Sequence, residues 1–253
     1  MITSHLQERL QEFMKSASQP LIVILGPTAS GKTAISIDLA VMLGNTEIVN
    51  SDSRQLYKYL NIGTAKITLE EMQDVPHHLL DILDPKEEAT AAWYKEEAQK
   101  VIGQIHSRGH IPMLVGGSML YISAVTDGLT FPANRGMRKP LQERKHVKPS
   151  ENLFIIGIDR PREEMMRRID DRTAELFRKG WVEEVRELLR RGYTHEDPAM
   201  KSHGYREIMN FIQSGTPSQE KLVDSISKKT RQYAKRQMTW WRGDPRIEWL
   251  TLS

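Results

Sequence analysis

Short apolar runs bounded by turn residues recur along the chain, and longer stretches of mixed polarity separate them. PLIVIL (20–25), TEIVN (46–50), IPMLV (111–115) and LFIIGI (153–158) have the length and continuity of strands buried on both faces. HLLDIL (78–83) predicts a further short segment of the same kind, and IEWLT (247–251) a closing strand. Between them the pattern predicts a helix to about residue 44, a second over 88–108 ending at Arg108-Gly109, and a third after Gly116-Gly117. Leu6, Leu10, Phe13 and Met14 mark a short amphipathic helix near the N-terminus. Beyond the LFIIGI strand the character changes to long helical stretches at 161–191, 203–214 and 217–241. Strands separated by helices predict an α/β fold with a parallel sheet, the helical C-terminal third packing beside it.

One segment breaks the alternation. Residues 130–150, TFPANRGMRKPLQERKHVKPS, hold three prolines and a run of basic side chains with little apolar periodicity, and they read as an exposed basic linker. The chain therefore divides into 1–129, the first part of the α/β core, the linker 130–150, and 151–253, the last core strand with the C-terminal helices.

Composition narrows the function classes. With 39% hydrophobic and 27% charged residues the balance is that of a soluble globular protein. No apolar run approaches the roughly 20 residues that span a bilayer. The N-terminal segment carries charges where a secretory signal would be apolar, so no membrane partner is expected. The absence of cysteine excludes disulfides, thiolate metal sites and cysteine nucleophiles, and points to the cytoplasm. Net charge is only +3, but Lys221 to Arg242 holds seven Lys/Arg against the single acid Asp224. Such a stretch is either a solvated helix face or a polyanion contact.

GPTASGKT, Gly26 to Thr33, satisfies G-x-x-x-x-G-K-[ST] between a predicted strand and a predicted helix. The residues Gly26, Pro27, Thr28, Ala29, Ser30, Gly31, Lys32 and Thr33 are thus the candidate phosphate cradle of a P-loop NTPase-like sheet. Glycines let successive N–H groups turn toward phosphate oxygens, and the helix that follows presents its positive end. Lys32 supplies a compact charge, and the Thr33 hydroxyl can ligate Mg²⁺. The motif identifies a polyphosphate site and no single reaction, since kinases and ATPases share it. Asp52, in the loop after the second strand, and Gly116-Gly117-Ser118, after IPMLV, should reach the same sheet edge. Asp52 there is a base, a metal holder or a helix cap; Ser118 is placed to cap the next helix.

These blocks in order resemble the tRNA dimethylallyltransferases: GPTASGKT, VNSDSRQLYKYLNIGTAK, VPHHLLDILDP, GGSMLY, RRIDDRTAELFRKGWVEEV, HGYRE and TRQYAKRQMTWWR. The resemblance implies transfer of a dimethylallyl group from dimethylallyl diphosphate to N6 of the adenine 3′ of the anticodon, position 37 of tRNA. It implies that the phosphate loop holds the donor's diphosphate with Mg²⁺, that Asp52 is the general base, that Ser118 contacts the amino group and that Arg172 helps to hold the diphosphate. For tRNA it implies Asp52, Ser53, Arg54, Gln55, Gly204, Tyr205, Arg206, Arg231, Lys235, Arg236 and Gln237, in an enzyme acting as a monomer. Free adenine nucleotide as acceptor, or a non-catalytic relative that only binds, are the alternatives.

Other conspicuous residues read plainly. The adjacent His77 and His78 should diverge rather than pair on a metal, Trp240 and Trp241 should pack the last helix, and Met165 and Met166 should fill a core or groove. One departure stands out. Family members of usual length carry a helical insertion, with a basic block ending in RALE, where this chain has only about 20 residues.

Overall fold

The structure is a computed structural model and describes residues 3–129 and 150–252. The predicted linker therefore lies outside the described residues, apart from Ser150. Among the described residues no helix is long and apolar enough to cross a membrane.

Six parallel strands form one sheet in the order β3-β2-β4-β1-β5-β6. They are β1 (Leu21–Leu25), β2 (Thr46–Asn50), β3 (His77–His78), β4 (Ile111–Gly116), β5 (Leu153–Asp159) and β6 (Ile247–Thr251). The helices are α1 (Ser4–Ser16), α2 (Lys32–Leu43), α3 (Leu69–Met72), α4 (Ala91–Ser107), α5 (Met119–Thr126), α6 (Arg162–Arg178), α7 (Trp181–Arg190), α8 (Tyr205–Ser214) and α9 (Gln219–Trp241). β1 is central, paired with β4 on one side and β5 on the other.

The continuous apolar runs are explained by two covered faces. Ile22 and Ile24 join Met113, Val115, Ile156 and Ile158 under α1 and α2. Val23 and Leu25 point the opposite way and pack with Leu114, Ile155 and the helices that include Tyr94, Trp181 and Tyr205. Ile22, Val23 and Ile24 are fully buried, each stabilising the fold by about 1.5–3 kcal/mol. The same core holds β1 residues and residues of α7, α8 and α9, so the helical third and the sheet share one interior. Trp241 is buried within it, and the Trp240 indole N–H donates to Ser123 Oγ at 3.4 Å, as the packing expectation required.

Two element boundaries differ from the sequence expectation. The segment at 78–83 is not a strand: β3 is only His77–His78, and Leu79 (φ 59°) and Asp81 (φ 54°) turn the backbone into the left-handed region. Leu83 then makes a single parallel bridge to Tyr57. The predicted helix 161–191 is broken at Gly180 (φ 96°) into α6 and α7, because a left-handed residue ends one helix and redirects the next.

Candidate active site

The loop after β1 wraps tightly because of where its small residues fall. A Cβ on Gly26 would stand 2.8 Å from the Ile158 carbonyl, and Gly31 (φ 98°) takes a conformation that disfavours side chains. α2 starts at Lys32, so the loop closes onto a helix N-terminus. Lys32 Nζ donates to Pro27 O at 2.7 Å. Desolvation in the cradle, helped by the nearby Arg172 and opposed by Asp52, pushes the Lys32 ammonium down to about 7. Two arginines grip the loop through its carbonyls: Arg160 Nε donates to Ser30 O and Arg168 Nε to Ala29 O, each at 2.9 Å.

The facing side of the site is built from β2 and β4. Asn50, buried at the end of β2, donates through Nδ2 to Asp52 O (3.1 Å) and Leu79 O (2.9 Å), and its Oδ1 accepts from Asp52 N at 3.0 Å. Asp52 Oδ1 accepts from Arg54 N at 2.8 Å, so the carboxylate is held in a local turn. β4 crosses directly beneath. A Cβ on Gly116 would lie 2.4 Å from the Ser51 backbone, which makes that glycine obligatory. Ser118 occupies the N-cap position of α5, yet its hydroxyl makes no cap bond; Oγ accepts from Ser53 N at 2.8 Å and ties β4 to the Asp52 loop.

Both sides open on one cleft of about 750 Å³. Lys32, Thr33, Asp52, Gly117 and Arg172 line it, as do the apolar side chains Ile37, Ile48 and Val115. Burial lowers the Arg172 pKa, and the Asp52 charge counters that loss. The structure thus brings Lys32, Thr33, Asp52 and Arg172 together. Ser118 reaches them through the Ser53 backbone and is itself buried. The Thr33 side of the cleft carries an exposed hydroxyl at the helix start, the donor type Mg²⁺ takes beside phosphate and water. Among the described residues no cluster of three His, Cys, Asp or Glu could cage a metal alone.

The predicted RNA contacts separate into two groups. Arg54, Arg206, Lys235 and Arg236 are exposed, and Ser53, Gln55 and Arg231 are half-buried. Gln55 Nε2 bonds the Thr64 and Ala65 carbonyls, and Arg231 pairs with Asp170. Gly204, Tyr205 and Gln237 are buried. Gly204 lies under the Trp181 ring, Tyr205 donates its hydroxyl to Glu184 Oε1 at 2.7 Å, and both ends of the Gln237 amide are used inside the protein. The Tyr205 and Gln237 side chains point into the protein because α8 and α9 pack those faces inward.

Residues the sequence reading missed do the anchoring. Glu184 on α7 accepts from the backbone N–H groups of Asn61 (2.8 Å), Ile62 (2.6 Å) and Gly63 (3.1 Å), clamping the loop that follows Asp52. A Cβ on Gly63 would sit 1.9 Å from Trp181 Nε1, so the indole packs flush on that backbone. Nothing in GWVEEV distinguishes this glutamate from an ordinary solvated one. The two histidines diverge as expected: His77 Nδ1 meets Val75 O at 2.7 Å, and His78 Nε2 meets Glu47 Oε2 at 2.5 Å. A separate groove of about 710 Å³ runs between α6 and α9, floored by Met165, Met166 and Ile169 and edged by Arg162, Lys228 and Lys235.

Comparison with known proteins accounts for this arrangement. The IPP transferase family model matches residues 55–151 and 135–244. The chain is 35% identical to the tRNA dimethylallyltransferase of Thermomicrobium roseum, over 93% of this chain and 87% of that protein. It is 37% identical to that of a Cyanothece strain, over 95% of each. Among solved structures, the tRNA isopentenylpyrophosphate transferase of Bacillus halodurans superposes with a TM-score of 0.81 at 30% identity, covering 92% of this chain and 90% of that one. With the family model spanning most of the chain and relatives of this identity aligned along nearly all of it, the chain belongs to the IPP transferase family.

Proposed function

We propose that the protein transfers a dimethylallyl group from dimethylallyl diphosphate to N6 of an adenine in tRNA, at position 37 beside the anticodon. The observation that carries this reading is the convergence of Lys32, Thr33 and Arg172 with Asp52 on one cleft, from three separate parts of the chain. The adenine amino nitrogen attacks the allylic carbon; the carbon–oxygen bond to diphosphate breaks, and diphosphate leaves with the bonding pair. Lys32, Arg172 and the amides of the 26–33 loop stabilise that departing charge. Asp52 receives the proton given up by the amino group, which offsets the poor nucleophilicity of a nitrogen conjugated with its ring. Mg²⁺ held by the diphosphate and Thr33 would neutralise further charge on the leaving group. The apolar wall of Ile37, Ile48 and Val115 suits the hydrocarbon part of the donor.

The RNA side rests on exposed cations. Arg54, Arg206, Lys235 and Arg236 offer phosphate contacts, and the α6–α9 groove adds an apolar floor with a basic edge where an unstacked base fits. The alignment with the Thermomicrobium relative spans 288 positions against a chain of 253 residues, so that relative holds residues with no counterpart here. The basic segment 130–150 stands in the sequence between the first part of the core and β5, and we assign it part of the RNA grip. Catalysis as a monomer in the cytoplasm completes the reading.

Incubation with labelled dimethylallyl diphosphate, Mg²⁺ and either unmodified tRNA or AMP tests it. Label should enter tRNA and not AMP. Label in AMP alone would shift the acceptor to free nucleotide, and no label in either would overturn prenyl transfer.

A further inference from the structure

Gln237 is 1% exposed, although Lys235 and Arg236 just before it on α9 are exposed. Its Oε1 accepts the Thr28 N–H at 3.0 Å, and its Nε2 donates to Gly117 O at 2.7 Å. One end of this amide therefore holds the phosphate loop and the other holds the turn after β4. The connection continues: Gly117 leads into Ser118, whose Oγ fixes Ser53 N, and Ser53 follows Asp52. Tyr233, one turn earlier on α9, sends its hydroxyl to the same Gly117 carbonyl at 3.3 Å. A Cβ on Gly117 would come within 2.6 Å of Gln237 Nε2, so a methyl group there must push the amide off this contact.

We infer that Gln237 is a positioning residue that sets the separation between the diphosphate-holding loop and the Asp52 turn, and so the distance over which the prenyl group moves. This rests on the proposed prenyl transfer. Of the common side chains of this length, glutamine alone offers one acceptor and one donor at the same planar group. Glutamate keeps the acceptor for Thr28 and sets a charge against the Gly117 carbonyl; methionine matches the size and keeps neither bond. Transfer needs the reacting carbon and nitrogen within about 3–3.5 Å, and a displacement near 1 Å costs on the order of 10²-fold in rate. Gln237 and Gly117 line the cleft, but both ends of the amide are spent on backbone groups, so the loss of the strut should appear in turnover more than in binding.

The test uses Gln237→Met, Gly117→Ala and the double variant in the full-length enzyme. Each single variant should lower kcat on the order of 10²-fold, while the Kd for magnesium pyrophosphate and for an anticodon stem-loop RNA changes less than about threefold. Gly117→Ala reaches the strut without altering α9, so a folding failure in Gln237→Met does not remove the test. The two changes act on one contact, and the double variant should be no slower than the slower single. Multiplying losses would overturn the inference. So would weakened RNA binding at unchanged kcat, which would make Gln237 an RNA contact. A wild-type protein that transfers no prenyl group would overturn the functional reading. Hydrogen exchange at the Thr28 amide then decides the strut separately: protection in wild type that is lost in Gln237→Met supports it, and equal exchange refutes it.

Discussion

The phosphate loop and the loop that follows Asp52 meet in one cleft but are made in different ways. Residues 26–33 form a compact cradle whose shape is written locally, in glycines and in the helix that begins at Lys32. Residues 53–66 form an irregular excursion, with Tyr59 and Ala65 in left-handed conformations and no regular element of its own. Its shape depends on distant partners: Glu184 takes three of its amides, Trp181 packs on Gly63, and Lys66 Nζ reaches back to Tyr57 O at 2.7 Å. Even the local cradle is held from afar, by Arg160, Arg168 and Gln237. The chemistry of both loops is supplied by the first half of the chain, and their placement by the last third.

The sharpest challenge to this contrast is to separate the two functions by mutation. Asp52→Ala should reduce turnover on the order of 10²–10⁴-fold with pyrophosphate affinity nearly unchanged, whereas Lys32→Ala should weaken pyrophosphate binding directly. Isothermal titration beside steady-state kinetics would show it, and an equal loss of pyrophosphate binding in both variants would merge the two regions.

Next in size is Glu184→Gln. Three backbone amides and the Tyr205 hydroxyl lose a charged acceptor, at a stability cost of roughly 3 kcal/mol measurable by urea unfolding. Its kinetic effect should fall on the KM for RNA and not on that for the donor. Arg168→Met should do the reverse, raising the donor KM several-fold.

The cradle also carries its own pH dependence. Lys32, held at about 7, is charged below that pH and neutral above it. Pyrophosphate affinity should therefore hold below pH 7 and decline by about tenfold per unit above it, with the break moved to higher pH in Lys32→Arg.

The smallest effect on activity is expected at Glu47, far from both loops at the opposite end of β2. Arg108 holds its carboxylate through two contacts of 3.0 and 2.8 Å from Nη2, and His78 and His110 add hydrogen bonds. These partners outweigh burial and keep its pKa at about 2, below the ordinary 4.5. A depressed carboxylate stabilises the fold above pH 4.5, and that contribution, about 3 kcal/mol, is lost as pH falls toward 2. Glu47→Gln should flatten this acid loss in urea unfolding and leave kcat unchanged. A drop in kcat would mean that general stability, and not loop placement, governs turnover here.

Legibility in the sequence followed the range of the interactions. The parallel sheet, the cradle and the opposed Asp52 could be read because apolar runs and glycine spacing are local signals that a fold must obey. The HLLDIL segment misled, since its apolar residues serve a left-handed turn and not a strand. In the sequence 161–191 reads as one helix because Gly180 alone marks the break.

The sequence by itself determined the fold class and the chemical inventory: Lys32 and Thr33 at a helix start, Asp52 after β2, Arg172 on a long helix. Their types and their positions next to strand ends follow from backbone geometry alone. Tertiary structure decided which side chains face outward and which hold the site in register. Gln237 and Tyr205 look like their exposed neighbours in the sequence, but α9 and α8 turn them inward. Glu184 looks like any helix-surface acid until three amides from a loop more than a hundred residues earlier converge on it. Which of two similar polar residues is buried depends on which face a helix packs, and that is settled only when the whole core assembles.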